Sequence, residues 1–318
     1  MTLRAYERQY LQERLEENYY KEPVEKRVLC FIKDSYQEQI VEGTNILYKW
    51  LDYVEIECKS PKKIDRLSFL RDWDLEEVVQ KAFLLIAFNQ EALFTTVSAQ
   101  LSSKMKFSDT ADAIQTAAEI LAVLAHTKVF TVYKRDKQDS LRVHSYMQFP
   151  EDIQKGIENT MFNLPMVCPP KELQQNTDSP YLTVKDKLIL GKKNFHSENI
   201  SLDVLNTQNS IPLSLNLEFL KTVKEVPTKD FQTLEQEQQW KEFIDQSNAV
   251  YLKVLRSFEN VFYLPNSVDK RGRMYARGYH ITTQGTSFKK SMIDFAETEV
   301  VTGIPENKHE RKARKHLL

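Results

Sequence analysis

Apolar positions recur at helical spacing through the first third of the chain. Leu3, Tyr6, Tyr10, Leu11 and Leu15 predict a helix over 3–22. Val28, Phe31, Ile32, Ile40, Leu47, Leu51 and Val54 continue helical material over 26–54. Ser60-Pro61, with Lys59, Lys62, Lys63 and Arg66 around it, interrupts the pattern and predicts a basic loop over 57–66. Asp74 followed by Glu77 resembles a capping box, and the run 82–88 is apolar on every side, which implies a fully buried helix. A second start at Ser108 or Asp109 leads to a one-face pattern of Ile114, Ala117, Leu121 and Leu124. His126, where that pattern ends, is read as a cap or core residue and not as a ligand.

From Lys128 the period drops to two. Segments 129–133 and 141–144 flank the polar tip 135–140, which predicts a β-hairpin spanning 128–147. Pro150-Glu151-Asp152 opens a further helix carrying Ile153 and Ile157. The prolines of 164–171 stiffen an extended connector, because each removes a backbone donor and biases its predecessor away from helix. Segment 181–193 predicts a lysine-rich strand pair or arm, and 206–226 returns to helix with Leu213, Leu217 and Leu220 on its face. Between Val226 and Val261 there is room for two short helices. The expected fold class is mainly α with small β elements, an α+β protein.

Composition narrows this picture. The chain has 318 residues, 41% of them hydrophobic, which is ample for a core, and only 7 glycines, which favours helix. With 44 basic and 45 acidic residues the formal net charge is −1, so any polyanion binding must come from one face. Cys30, Cys58 and Cys168 are scattered and odd in number, which argues against a zinc site or a disulfide framework and fits a reducing cytoplasm. The N-terminus lacks an apolar signal core, and the best apolar run falls far short of the roughly 20 residues a bilayer requires, so no membrane association is expected.

The strongest chemical signal is Asp269-Lys-Arg-Gly-Arg-Met-Tyr275, three cations around one glycine with an aromatic behind them. Glycine permits close backbone approach, and guanidinium forks match phosphate geometry. Residues 269–290 hold six basic side chains, Lys270, Arg271, Arg273, Arg277, Lys289 and Lys290, against one acid. Arg271 either braces the loop through Asp269 or touches phosphate; Tyr275 either stacks on a partner or packs as a strand aromatic. Thr286 or Ser287 caps a helix bearing Phe288, Met292 and Phe295 on one face, which places Lys289 and Lys290 in its first turn. Cations there oppose the helix dipole, a mismatch that an anionic partner relieves. The cations of 57–66 and 185–193 are either solvated or contacts to nucleic acid.

Segment 262–303, with Tyr-Leu-Pro-Asn at 263–266, the Asp-x-Arg-Gly-Arg-x-Tyr box, Gln284-Gly285 and Lys290, resembles the template- and hybrid-contacting motif of single-subunit phage-type RNA polymerases. The hairpin 128–147, Pro169-Pro170-Lys171 and the Gln208-Asn209 helix stand in the order of that family's strand-separating hairpin, its connector and the helix beyond. The resemblance implies a helical N-terminal platform over 1–160, connector strands and helix over 161–226 and shortened thumb-like helices over 227–260. It further implies a template-contacting part of the polymerase core over 261–303. The basic tail that follows, 304–318, either docks on a partner subunit, binds nucleic acid or is disordered.

The same resemblance implies nucleic-acid contacts at Arg271, Arg273, Tyr275, Gln284, Gly285, Lys289 and Lys290, with Arg273 on the template strand. It places no catalytic or metal-binding residue on this chain, since outside the box at 269–275 no Asp-x-x-Gly occurs in it, and no His-Asp motif occurs at all. Mg²⁺ would be bound by a second polymerase subunit carrying the catalytic carboxylates. The chain is thus similar to the smaller subunit of the family's heterodimeric members, working on a DNA template and an RNA–DNA hybrid in the cytoplasm of a phage-infected bacterium. The wholly polar hairpin tip lacks the family's apolar wedge, so an accessory factor that opens DNA is a further expected partner. The alternative is a stand-alone single-strand-binding or transcription accessory protein derived from the same fold.

Overall fold

The computed structural model describes residues 3–298 apart from 106, 108, 137, 138, 161, 192 and 193. The chain divides into two compact units, one of residues 14–163 and one that joins the start of the chain up to Glu13 with everything from Leu164 onward. Helix α1 (Ala5–Tyr19) crosses the division. Both units mix helix with short strands, and helix dominates.

The 14–163 unit contains α2 (Lys21–Ser35), α3 (Gln37–Glu57), α4 (Pro61–Ser68) and α5 (Leu75–Phe88), then β1 (Glu91–Leu93), α6 (Phe94–Ser103) and α7 (Thr110–Leu124), then β2 (Phe130–Tyr133), β3 (Arg142–Ser145) and α8 (Glu151–Asn159). The Asp74 carboxylate accepts a hydrogen bond from the Glu77 amide and so starts α5, and Asp109 does the same for α7 through the Asp112 amide. Every residue from Ala82 to Ala87 is buried, as the apolar run predicts. Phe83 and Ile86 of α5 pack with Ile32 of α2, Leu47 of α3 and Leu121 of α7 in one core. Burial of each such side chain is worth about 1.5–3 kcal/mol. Gly43 allows α3 to approach this closely, because a Cβ there would lie 3.1 Å from both Leu124 and Val79 side-chain atoms.

Several expectations need correction in this unit. The helical material over 26–54 is two helices that break at Tyr36. The basic loop over 57–66 is largely helical, since Pro61 sits at the first position of α4, where its missing N–H costs nothing. Arg66 is buried and donates to Thr116 and to Glu119, which also pairs with Lys63 at 3.2 Å, so these two cations brace α7. Ile114, expected on the buried face of α7, is 38% exposed.

The hairpin of β2 and β3 forms in antiparallel register, and the unforeseen β1 adds to its edge in the order β1-β3-β2. Glu91 of β1 accepts from Tyr133 at 3.0 Å and pairs with Arg135, which anchors the base of the polar tip. Positions 137 and 138 of that tip lie outside the described residues.

The second unit begins with the first part of α1, where Arg8 donates to the Val167, Phe258 and Val261 carbonyls and pairs with Glu259 at 3.0 Å. The proline-stiffened connector is extended as expected, and Met166 exchanges backbone hydrogen bonds with Tyr263. Segment 181–193 forms no strand pair among its described residues; only a short stretch, 188–190, bonds to the backbone of Val268. Residues 206–226 do not form one helix. They contain the end of α9 (Leu202–Asn209), then β4 (Leu213–Leu215) and α10 (Leu217–Thr222), with Pro212 at the break.

The two short helices expected over 227–260 are instead a single helix, α11 (Leu234–Ser257), 24 residues long. No glycine or proline interrupts it, so each added residue extends a helix whose costly nucleus already exists. Glu259 and Asn260 follow in the left-handed region at φ 56 and 57, and the Asn260 carboxamide both donates to and accepts from the backbone of Leu215. Beyond it lie β5 (Asn266–Val268), β6 (Met274–Ala276), α12 (Ser287–Ser291) and β7 (Ile293–Phe295). The helix expected to carry Phe288, Met292 and Phe295 on one face stops at Ser291, and Phe295 belongs to β7, paired with β4. Among the described residues no helix is long and apolar enough to cross a membrane.

Candidate nucleic-acid interface

The box at 269–275 is the tip and return strand of the β5–β6 hairpin. β5 is fully buried and holds the hairpin in place, with residues 188–190 bonded along its other side. Asn209 at the end of α9 secures the base, accepting from the Asn266 backbone amide at 2.8 Å and from its side chain at 3.1 Å. Arg277, just past β6, is structural: it donates to Ser267 and to the Lys187 carbonyl and pairs with Asp186 at 3.0 Å.

Asp269 organises the tip. Its carboxylate accepts from the backbone amides of Arg271 at 2.9 Å and Arg273 at 3.0 Å, from the Arg273 guanidinium at 2.7 and 2.6 Å, and from the Tyr275 hydroxyl at 3.3 Å. Burial pulls its pKa upward, and the Arg273 side chain with the two amides overcomes that and holds it at about 2. Gly272 takes φ +79, a conformation costly for other residues, and a Cβ there would meet nothing within 4 Å. Glycine is therefore required by the turn, while the space beside it is open.

The side chains divide differently from the sequence reading. Arg273, not Arg271, braces the loop through Asp269, and its guanidinium lies 6.0 Å from the Tyr275 ring centroid. Lys270 and Arg271 are exposed at the apex, and Lys270 was not among the expected contacts. Tyr275 is half-buried in β6 opposite Ser267.

Gln284 acts like an added strand residue, its carboxamide oxygen accepting from the Ala276 amide at 3.0 Å and its nitrogen donating to the Met274 carbonyl at 2.7 Å. This brings the 284–290 segment against the hairpin. Gly285 lets Lys289 fold over it, since a Cβ would fall 2.7 Å from the Lys289 Cδ.

Lys289 and Lys290 part company. Thr286 caps α12 by accepting from the Lys289 amide, as expected. The Lys289 side chain is buried, donates to the Tyr279 carbonyl at 2.7 Å, and lies 5.1 Å from the ring centroids of both Phe243 and Tyr279. Burial lowers its pKa, against the opposing pull of Glu225. Nearby His280 is buried, hydrogen-bonded to Ser247 at 2.8 Å, and driven down to about 4 by burial and by Lys289. Lys289 thus belongs to the interior, and only Lys290 presents a charge to solvent.

The exposed cations of this region are Lys270, Arg271, Arg273 and Lys290, set on a hairpin and a capped turn that Gln284 ties together. Such an arrangement can neutralise phosphates without reading bases. The depressed Asp269 pKa has a consequence for pH. The contribution of this carboxylate is complete above the ordinary range near about 4, and it is lost as pH falls toward a folded-state value of about 2. NMR titration should therefore find the Arg271 and Arg273 amide shifts constant from neutral pH to about 4 and moving below it; a transition centred above 4 would show that the carboxylate does not carry the turn.

Among the described residues no three His, Cys, Asp or Glu side chains converge as ligands for a metal ion. The tail 304–318 lies outside the described residues. The chain matches no protein-family model and no curated protein.

Proposed function

We propose that this chain is a subunit of a DNA-directed RNA polymerase that contacts template and RNA–DNA hybrid, while a partner chain supplies the two-metal active site. The observation that carries the proposal is the Asp269-centred turn, which projects Lys270 and Arg271 from a buried strand inside the same Asp-x-Arg-Gly-Arg-x-Tyr box that resembles the phage-type polymerase motif. A rigid turn with cations at its apex suits a continuous backbone held in register through many steps, since contacts to phosphate and sugar carry little sequence information. Arg273 adds charge beside the apex and Lys290 adds it on the capped turn tied to the hairpin, and Gln284, Gly285 and Lys289 shape the support. Mg²⁺ belongs, on this reading, to the partner's carboxylates, and no step is assigned to a metal on this chain.

The test is primed RNA extension on single-stranded DNA. Extension is expected only when this chain is combined with a second chain bearing the metal-binding carboxylates, and the isolated chain is expected to bind single strands and hybrid without extending them. Metal-dependent extension by the isolated chain would sink the split-subunit reading. Nucleic-acid binding with no partner that restores extension would make the chain a stand-alone binding protein.

A further inference from the structure

Away from the basic turn, a cleft of 640 Å³ runs beside α11. The helix faces it with Trp240, Ile244, Ser247, Tyr251 and Leu255, spaced by four, three, four and four residues, which sets them on one stripe. At 1.5 Å per residue the stripe is about 22 Å long. The opposite wall is α10 and the chain just after it, and α10 buries none of its residues. Leu217, Val223 and Leu252 line the cleft while remaining 41%, 41% and 47% exposed. A second hollow of 570 Å³ continues past Trp240 to Phe231. Single exposed apolar residues are ordinary, but a contiguous apolar trough marks an interaction site.

The charges on its rim are one-sided. Lys221 and Lys224 line the cleft, are exposed, and enter no ion pair among the described residues. Glu225 is the one acid among the lining residues, and burial raises its pKa against the opposing pull of Lys289 and Thr286, so the two lysines outnumber it on the rim. A trough this long, at seam-like spacing, matches about four turns of helix laid beside α11.

We propose that the α10–α11 cleft receives an amphipathic α-helix of a partner chain, apolar at i, i+3 or i+4 and i+7, with Glu or Asp flanking that stripe. The inference stands apart from the nucleic-acid reading, since it uses none of the residues of the basic turn. Its test uses the full chain and two fluorescein-labelled synthetic helices of about 18 residues, both with leucine at the apolar positions, one with glutamate flanks and one with lysine flanks.

Fluorescence anisotropy is expected to show the glutamate helix binding at least about tenfold more tightly than the lysine helix. Leu252→Asp is expected to weaken it at least about tenfold without changing the thermal melt, because that side chain is half exposed. Lys221→Glu with Lys224→Glu is expected to invert the preference. Absence of binding, equal binding of both helices, or indifference to Leu252→Asp overturns the proposal. A dimer in light scattering that Leu252→Asp dissolves would assign the cleft to a second copy, and displacement of the probe by a peptide of residues 299–318 would assign it to the chain's own end; either result also overturns it.

Discussion

Gly278→Ala is expected to destabilise the unit that carries the basic turn by about 3 kcal/mol or more, a larger loss than the other glycine substitutions in this region. A Cβ at position 278 would lie 1.8 Å from the Ile281 carbonyl oxygen, which is backbone, so no side chain can swing aside to accept it. The chain between must move, and it holds His280 and Ile281, both 1% exposed. His280 bonds Ser247 of α11, and Lys289 bonds the Tyr279 carbonyl, so the shift spreads to the support of the 284–290 segment. Gly285→Ala meets the Lys289 Cδ at 2.7 Å and Cβ at 2.9 Å, side-chain atoms on a short helix and not backbone, and Gly272→Ala meets open space but pays for its positive φ, on the order of 1–2 kcal/mol. Urea denaturation combined with amide hydrogen exchange over 262–296 reads the ranking. An unchanged midpoint and unchanged exchange for Gly278→Ala would mean that the 278–281 turn is looser than its geometry requires.

The turn at 278–281 was invisible in the sequence, where Arg-Gly-Tyr-His looks like any polar connector, and the reason generalises. Features set by neighbours in sequence were legible. Asp74 and Asp109 cap their helices, the apolar run is buried from Ala82 to Ala87, and the period-two hairpin forms, because each depends on residues a few positions apart. Features set by distant partners were not. β4 is three residues long and exists because β7, about 80 residues later, pairs with it, so its segment looked helical apart from Pro212. Arg66 read as a loop cation because Thr116 and Glu119, its partners, lie 50 and 53 positions away.

Carboxamides account for much of the remainder. Gln284 pairs with Met274 and Ala276 and Asn260 with Leu215, each standing in for a strand neighbour, and Asn206 satisfies both backbone groups of Leu173 in an irregular segment. An amide side chain offers one donor and one acceptor at nearly the geometry of a peptide group, so it satisfies an exposed strand edge where no strand is available. Nothing in the type or spacing of these residues distinguishes that duty from contact with a nucleobase. Hence Gln284 entered the sequence reading as a ligand contact, and the structure gives it a positioning task. Arg273, and not Arg271, braces Asp269 for a related reason: the bend at Gly272 turns the later arginine back onto the carboxylate.

This division of labour sets the expectation for binding. If Lys270 and Arg271 meet phosphates, replacing both with alanine should weaken binding of single-stranded DNA about tenfold at physiological salt and flatten the slope of log K against log salt by about 1.4, two contacts at roughly 0.7 each. The loss should be the same on every sequence, because backbone contacts carry no base information. Neither side chain takes part in the interior, so the melting temperature should stay fixed. Arg273→Ala should behave differently, since it removes one charge and also the clamp on Asp269; the affinity loss should come with faster exchange of the Arg271 and Gly272 amides. Arg273→Lys keeps the charge and cannot reproduce the fork that grips the carboxylate through two nitrogens, so it should restore the salt slope without restoring the turn. Lys289→Met probes the opposite case: it removes a buried cation and should leave the slope untouched. A salt slope unchanged in the Lys270, Arg271 double variant would remove the apex from the interface, whatever the fate of the polymerase reading.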